Sequence, residues 1–311
     1  MKYQSSNLAA SLVASAALLA ILLCPPRADC ITGGKLDSDN KYSNVGCFAW
    51  PDGIDEDLDG VADWDPNQDG VPDVPASGGN LTLVHPRVVI GAAHVFQIVL
   101  DDFAFGYYTM DDIFVSFSPY PKQHPETYRA MTHVIIHPDY DEKFYPGWGA
   151  VPRIDVAAVI LKEPVTDITP ATLAPAGFMD DLKTAGLLLN KNQGAPFTVV
   201  GYGYTGKSPN KLVPPDGQRR VAISEYMLLD NHWLFLDQNE AHGNGGAQIW
   251  DSGGPTFWVD PVTGEESLVA LVSNGDATGV SLGLNFRTDI SETLDFINDV
   301  IARVEAGEFN P

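Results

Sequence analysis

With 311 residues, 44% of them hydrophobic, the chain is long enough to bury a full apolar core in one large domain or two modest ones. Its 18 basic residues stand against 41 acidic ones, a formal net charge of −23 at pH 7, so a phosphate backbone would be repelled and nucleic acid is excluded as a partner. Three cysteines are too few for a disulfide-rich exported scaffold, which leaves core burial and bound ions to supply stability.

The chain opens on Lys2 and a long apolar stretch through Leu23, followed by Pro25, Pro26 and Ala28. This pattern predicts a secretory signal peptide over residues 1–28, and hence a secreted protein, extracellular or, in a bacterium, periplasmic. Retention of the segment as an anchor is the alternative, and lipidation of Cys24 is disfavoured by bulky Leu23 before it. No later apolar run is long enough to span a bilayer, so no stable membrane anchor is expected. With Cys24 removed, Cys30 and Cys47 are the remaining pair able to bridge.

Residues 52–75 hold eight Asp and Glu56 with no Lys or Arg among them. They repeat internally: Asp55, Asp57, Asp59, Gly60 and Asp63 recur ten residues later as Asp65, Asn67, Asp69, Gly70 and Asp73. Alternate oxygen donors followed by Gly at a sharp turn suit a hard cation, and Ca²⁺ takes six to eight such oxygens. The twelfth positions are Pro66 and Ala76, where an EF-hand needs a bidentate Glu. The pair instead resembles thrombospondin type 3 calcium repeats, which implies structural Ca²⁺ on Asp55, Asp57, Asp59, Asp63, Asp65, Asn67, Asp69 and Asp73. A solvated acidic loop is the plainer alternative.

Past this segment, β-branched and aromatic runs at 113–117, 133–136, 156–161, 197–200, 233–236 and 268–272 recur between Gly, Pro, Asn and Asp clusters. Short strands at that spacing predict an all-β barrel or sandwich. One short helix is predicted over 178–189. Residues 289–306 place Leu294, Ile297, Ile301 and Val304 at helical spacing with Ser291 as cap, which predicts an amphipathic C-terminal helix.

Three stretches carry chemistry. Val89-Ile90-Gly91-Ala92-Ala93-His94 closes an apolar run in small residues, and Arg153-Ile154-Asp155-Val156-Ala157 opens another with an acid. Asp251-Ser252-Gly253-Gly254-Pro255 sets a serine in a turn whose small residues let a ligand approach the backbone. A serine hydroxyl is a poor nucleophile at neutral pH. It needs a neutral imidazole to take its proton and a buried carboxylate to fix that imidazole. Singly, the stretches also read as a satisfied histidine, a capping Asp and a tight turn.

Together and in this order they resemble the trypsin/chymotrypsin-like serine peptidases. The resemblance extends along the chain. Ile31-Thr32-Gly33-Gly34 is similar to the family's mature amino terminus, and residues 81–89 to the strand pair before the catalytic His. His137-Pro138-Asp139-Tyr140 is similar to the turn before the catalytic Asp, and Gly201-Tyr202-Gly203 and Val272-Ser273-Asn274-Gly275 to segments of the second barrel. Where relatives often carry Cys, this chain has Val95 and Gln248.

The resemblance implies two packed antiparallel six-stranded β-barrels with the C-terminal α-helix on the second, in a domain over 31–306 that contains the acidic insertion. It implies a monomeric serine endopeptidase acting on protein or peptide substrates, with His94 as general base, Asp155 as its orienting acid and Ser252 as nucleophile. Backbone N–H groups of Ser252 and residue 250 would hold the oxyanion, yet Trp250 stands where the family has Gly. A side chain there can forbid the backbone conformation that aims the N–H inward, which keeps two other readings open: an impaired fold acting as an extracellular binding module, and a non-peptidase acyl hydrolase. A freed Ile31 amine would pair with Asp251. Cleavage after Cys30 would free it, whereas cleavage after Ala28 would leave Cys30 to pair with Cys47. Gly246 at the pocket floor implies an uncharged side chain before the scissile bond, and Ser273, Asn274 and Gly275 would pair with an extended substrate.

Overall fold

A computed structural model describes residues 31, 33–53, 76–141, 153–188, 196–204, 215–276 and 281–310. The first barrel is built from β2 (Val45–Trp50), β3 (Ala76–His85), β4 (Val88–Gly91), β5 (Phe114–Ser116), β6 (Arg129–Ile136) and β7 (Ala157–Leu161). Its antiparallel ladder runs β2-β3-β4-β7-β6-β5 and closes. The second barrel takes β8 (Pro196–Gly201), β9 (Arg220–Leu229), β10 (Trp233–Asp237), β11 (Pro255–Val259), β12 (Glu266–Gly275) and β13 (Leu282–Arg287). Its order is β9-β10-β13-β12-β11-β8, closed by β8 on β9, with the two-residue β1 (Lys35–Leu36) added outside β9.

The continuous apolar runs at 88–90 and 156–161 follow from burial on both strand faces. In β4 and β7 one set of residues, Val89, Ala157 and Val159, fills the first barrel. The alternate set, Val88, Ile90, Ala158 and Ile160, faces a seam shared with Phe257, Leu271, Leu284 and Phe286 of the second barrel. Phe197, Leu234, Leu236 and Trp258 fill the interior of that second barrel. Each fully buried side chain of this kind contributes about 1.5–3 kcal/mol, so the seam is a third core. The expected strand runs and the two barrels are present.

Among the described residues three α-helices flank the barrels: α1 (Ala93–Phe105), α2 (Phe178–Thr184) and α3 (Ser291–Glu305). Helix α2 lies in the stretch expected to be helical, and Asp289 accepts from the Met179 N–H at its start. The C-terminal helix meets both barrels. It packs on β4 and β7 of the first barrel, Ile297, Val300 and Val304 enter the seam core shared with Phe257 and Phe286, and the Thr293 hydroxyl donates to the carbonyl of Arg287 at the end of β13 (3.3 Å). Its expected cap is displaced by one residue. Ser291 is its first helical residue, and extended Ile290 caps it without a side-chain bond. Helix α1 was not foreseen. Ala93, Phe96 and Val99 supply its buried face, and Gly106, at φ +83°, closes it by donating to the carbonyls of Asp102 and Phe103.

A buried cation ties the barrels together. Arg219, fully enclosed just before β9, pairs with Asp37 at 2.8 Å and donates to the carbonyls of Val45 (2.8 Å) and Phe117 (2.9 Å) in the first barrel. It also meets the Tyr202 hydroxyl at 3.0 Å. Cys47 is a free, wholly buried thiol, pushed up to about 12 by burial. The expected signal segment, Cys30, and Asp55 through Asp73 lie outside the described residues. Among the described residues no helix is long and apolar enough to cross a membrane.

Candidate active site

His94 stands in the first turn of α1, where β4 ends. The turn is tight because a Cβ on Gly91 would press on the Phe96 ring and the Asn80 carbonyl. Asp155 lies on the stretch entering β7 and is wholly buried. Its Oδ1 accepts the His94 backbone N–H at 2.9 Å and its Oδ2 meets His94 Nδ1 at 2.8 Å. The Ser273 hydroxyl, from β12 of the second barrel, donates to the same Oδ2. A carboxylate at Nδ1 selects the tautomer whose proton sits there, which leaves Nε2 free of a proton on the far side of the ring. Burial by itself would raise the Asp155 carboxyl. Attraction to His94 and the hydrogen bonds from His94 and Ser273 outweigh it and hold the group below the usual carboxylate range.

Ser252 sits between Trp250 and the start of β11. Asn80, buried in β3, grips this loop from the first barrel. Its N–H donates to the Ser252 carbonyl at 2.8 Å, its Nδ2 to the Trp250 carbonyl at 2.8 Å, and its Oδ1 accepts from Tyr202 N–H at 3.0 Å. Gly253, at φ +83°, passes so close to the Asn80 carbonyl that a side chain would collide with it. Ser252 and His94 line the same cavity, of about 580 Å³. A second cavity of about 280 Å³ shares Ser252 and is bounded by Ala247 and residues 273–275. Gly246, expected at its floor, instead backs onto the buried Gln238 side chain.

Trp250 adopts φ +73°, the left-handed backbone that a Gly would take at this place. A non-Gly residue held there costs of the order of 1–3 kcal/mol. Its indole lies against Gly78 in β3, in space that any Cβ on Gly78 would occupy. The side chain is thus stowed against the first barrel. The sequence signal was the Gly78-Gly79 pair inside a strand, which marks a close approach.

Asp251 is fully buried, and its carboxylate accepts from the N–H groups of Gly203 and Gln248, each at 2.8 Å. Main-chain donors offset desolvation only in part, so burial pushes the group up to about 7. Ile31 is buried too, at φ +54°, and its N–H donates to the Tyr204 carbonyl at 3.3 Å. Gly203 therefore lies between them: its N–H holds Asp251, and its neighbour Tyr204 holds Ile31.

The family model described as Trypsin matches residues 75–297. That span contains β3 to β13 of the two barrels and every site residue described so far except Ile31. No curated protein matches the chain.

Two expectations follow from this geometry. In the uncleaved chain, where Ile31 has no free amine, folded Asp251 keeps its proton up to about pH 7, whereas an unfolded Asp releases it near pH 4. The folded chain therefore holds an extra proton between these values, and its stability falls as pH rises from about 4 to 7, by up to about 1.4 kcal/mol per pH unit. Asp251→Asn should remove that contribution, so that denaturant titrations across this range show a flatter pH profile; identical profiles would mean that Asp251 is ionised throughout. Gly78→Ala should destabilise the fold by about 1–3 kcal/mol through overpacking against the indole. In a Trp250→Gly background the same change should cost far less, whereas additive losses would separate the two residues.

Proposed function

Since the chain belongs to the trypsin family, we propose that it is an exported serine endopeptidase whose His94, Asp155 and Ser252 act as one catalytic unit. The observation that carries this reading is the enclosure of Asp155 between His94 and the second barrel, with Ser252 and His94 in the wall of one cavity. His94 Nε2 takes the Ser252 proton as Oγ attacks the scissile carbonyl, and Asp155 stabilises the imidazolium. The tetrahedral oxyanion rests on the N–H groups of Ser252 and Trp250. Collapse expels the amine, which receives the proton from His94. Water then attacks the acyl-enzyme, with His94 again as base, and frees the acid and Ser252.

Maturation belongs to the same proposal. Asp251 is surrounded by main-chain donors and is held near neutrality by burial. An ammonium at Ile31, freed by cleavage after Cys30, would ionise it and stiffen the loop that carries Ser252. The carboxylates of Asp55, Asp57, Asp59, Asp63, Asp65, Asp69 and Asp73, with the Asn67 amide, suit a hard, oxygen-seeking ion. They would hold structural Ca²⁺, and no catalytic step runs through it.

Intact mass of the secreted protein, before and after a fluorophosphonate, tests the catalytic reading. One adduct is expected, lost in Ser252→Ala and slowed on the order of 10⁴-fold or more in His94→Ala. The unlabelled mass should begin at Ile31. Folded, calcium-supplied protein that takes no adduct would overturn the proposal. Separately, calorimetry should show Ca²⁺ uptake at or below millimolar concentration and a melting temperature lowered by chelation; neither effect would appear if the acidic segment is merely solvated.

A further inference from the structure

Two cavities meet at Ser252, and acid–base chemistry assigns them to opposite halves of a substrate. The imidazole that takes the serine proton must return it to the departing amine, so the departing half lies where His94 reaches it. His94 stands in the wall of the larger cavity, about 580 Å³. The smaller one, about 280 Å³, is walled instead by 273–275, the strand edge able to pair with an extended acyl half. Trp250 and Ile249 belong to both walls and form the partition.

The larger cavity is thus the one on the departing side, and its size is in the range of pockets that enclose whole small molecules. Its wall comes from three places: Trp50 at the end of β2, Val95, Ile98 and Val99 on α1, and the indole of Trp250 seated on Gly78. Tyr107 and Tyr108, past the Gly106 cap, close its outer end. Asp102 is the one carboxylate among the described residues of this wall, and no Lys or Arg joins it there. The strained Trp250 backbone and the bare Gly78 both serve this surface, since together they seat the indole in the wall.

Resting on the peptidase reading, we infer that the enzyme selects its substrates chiefly on the departing side, by a bulky apolar or aromatic residue immediately after the scissile bond, seated between α1 and Trp250. An acidic residue is rejected there, because the cavity offers it a carboxylate and apolar walls, in a protein of net charge −23.

Acyl transfer isolates this half of the site. An acyl-enzyme is generated from a panel of N-blocked amino-acid thiobenzyl esters. It is then allowed to partition between water and added amides of phenylalanine, leucine, alanine or glutamate at equal concentration. The aminolysis-to-hydrolysis ratio for the phenylalanine and leucine amides is expected to exceed that for alanine amide at least tenfold, with glutamate amide lowest. Ile98→Glu, which places a charge at the cavity edge, should lower the phenylalanine ratio at least fivefold. Phe105→Glu, two turns further along α1, 74% exposed and outside the cavity, should leave the ratio as it is. Ester turnover with a flat ratio, a preference for glutamate amide, or equal losses in both variants would overturn the inference while sparing the peptidase reading. Absence of turnover across the whole ester panel would overturn the peptidase reading, and the inference with it.

Discussion

Everything at this site depends on holding two barrels in one relative position. His94 and Asp155 come from the first barrel, Ser252 and Ser273 from the second, and Asp155 is bonded from both sides at once. A shift of an ångström between the barrels would break one of those bonds and leave a buried carboxylate short of a donor, at a cost of a few kcal/mol. The seam resists such a shift by close packing of apolar residues from both barrels and α3. Arg219 adds direction to that packing. Its guanidinium reaches carbonyls on two first-barrel strand ends and the carboxylate of Asp37. Loss of either partner of such an enclosed pair is expected to cost several kcal/mol, because the other charge stays buried. Core and polar clamp thus do what disulfides do elsewhere in small exported domains.

Two wholly buried carboxylates flank the candidate nucleophile and titrate in opposite directions. Asp155 faces an imidazole and a hydroxyl, and it is held ionised. Asp251 is hydrogen-bonded by the main-chain N–H groups of Gly203 and Gln248, and burial outweighs them and the attraction of Arg220. The difference lies in what stands opposite each group, since their depth is the same. In the proposed mechanism it also separates their tasks: a fixed negative charge would steady a developing imidazolium, whereas a nearly neutral acid beside the loop would ionise when a cation arrives.

Trp250 joins the loop, the partition between the cavities and the first barrel in one residue. Its backbone stores strain, and its side chain recovers free energy by covering Gly78. The same indole also lines the larger cavity, so the residue that departs from the family's Gly gives its loop a contact with the first barrel.

The sequence by itself determined what is local. Alternation and punctuation specify the strands, helical spacing specifies α3, and the settings of His94, Asp155 and Ser252 stand out because each motif is a short, continuous stretch. Tertiary structure decided the rest. Helix α1 escaped notice because the apolar run of β4 passes into it through Ala92, a cap without a polar side chain. An apolar stripe on α3 announces burial without saying against what, and its residues enter the seam that both barrels share. The meaning of Trp250 could not be read at position 250, because the space that accommodates it is a missing Cβ at Gly78, in the other barrel. Such complementarity between distant positions exists only once the chain is folded, since van der Waals contact depends on distance in space and not on separation along the chain.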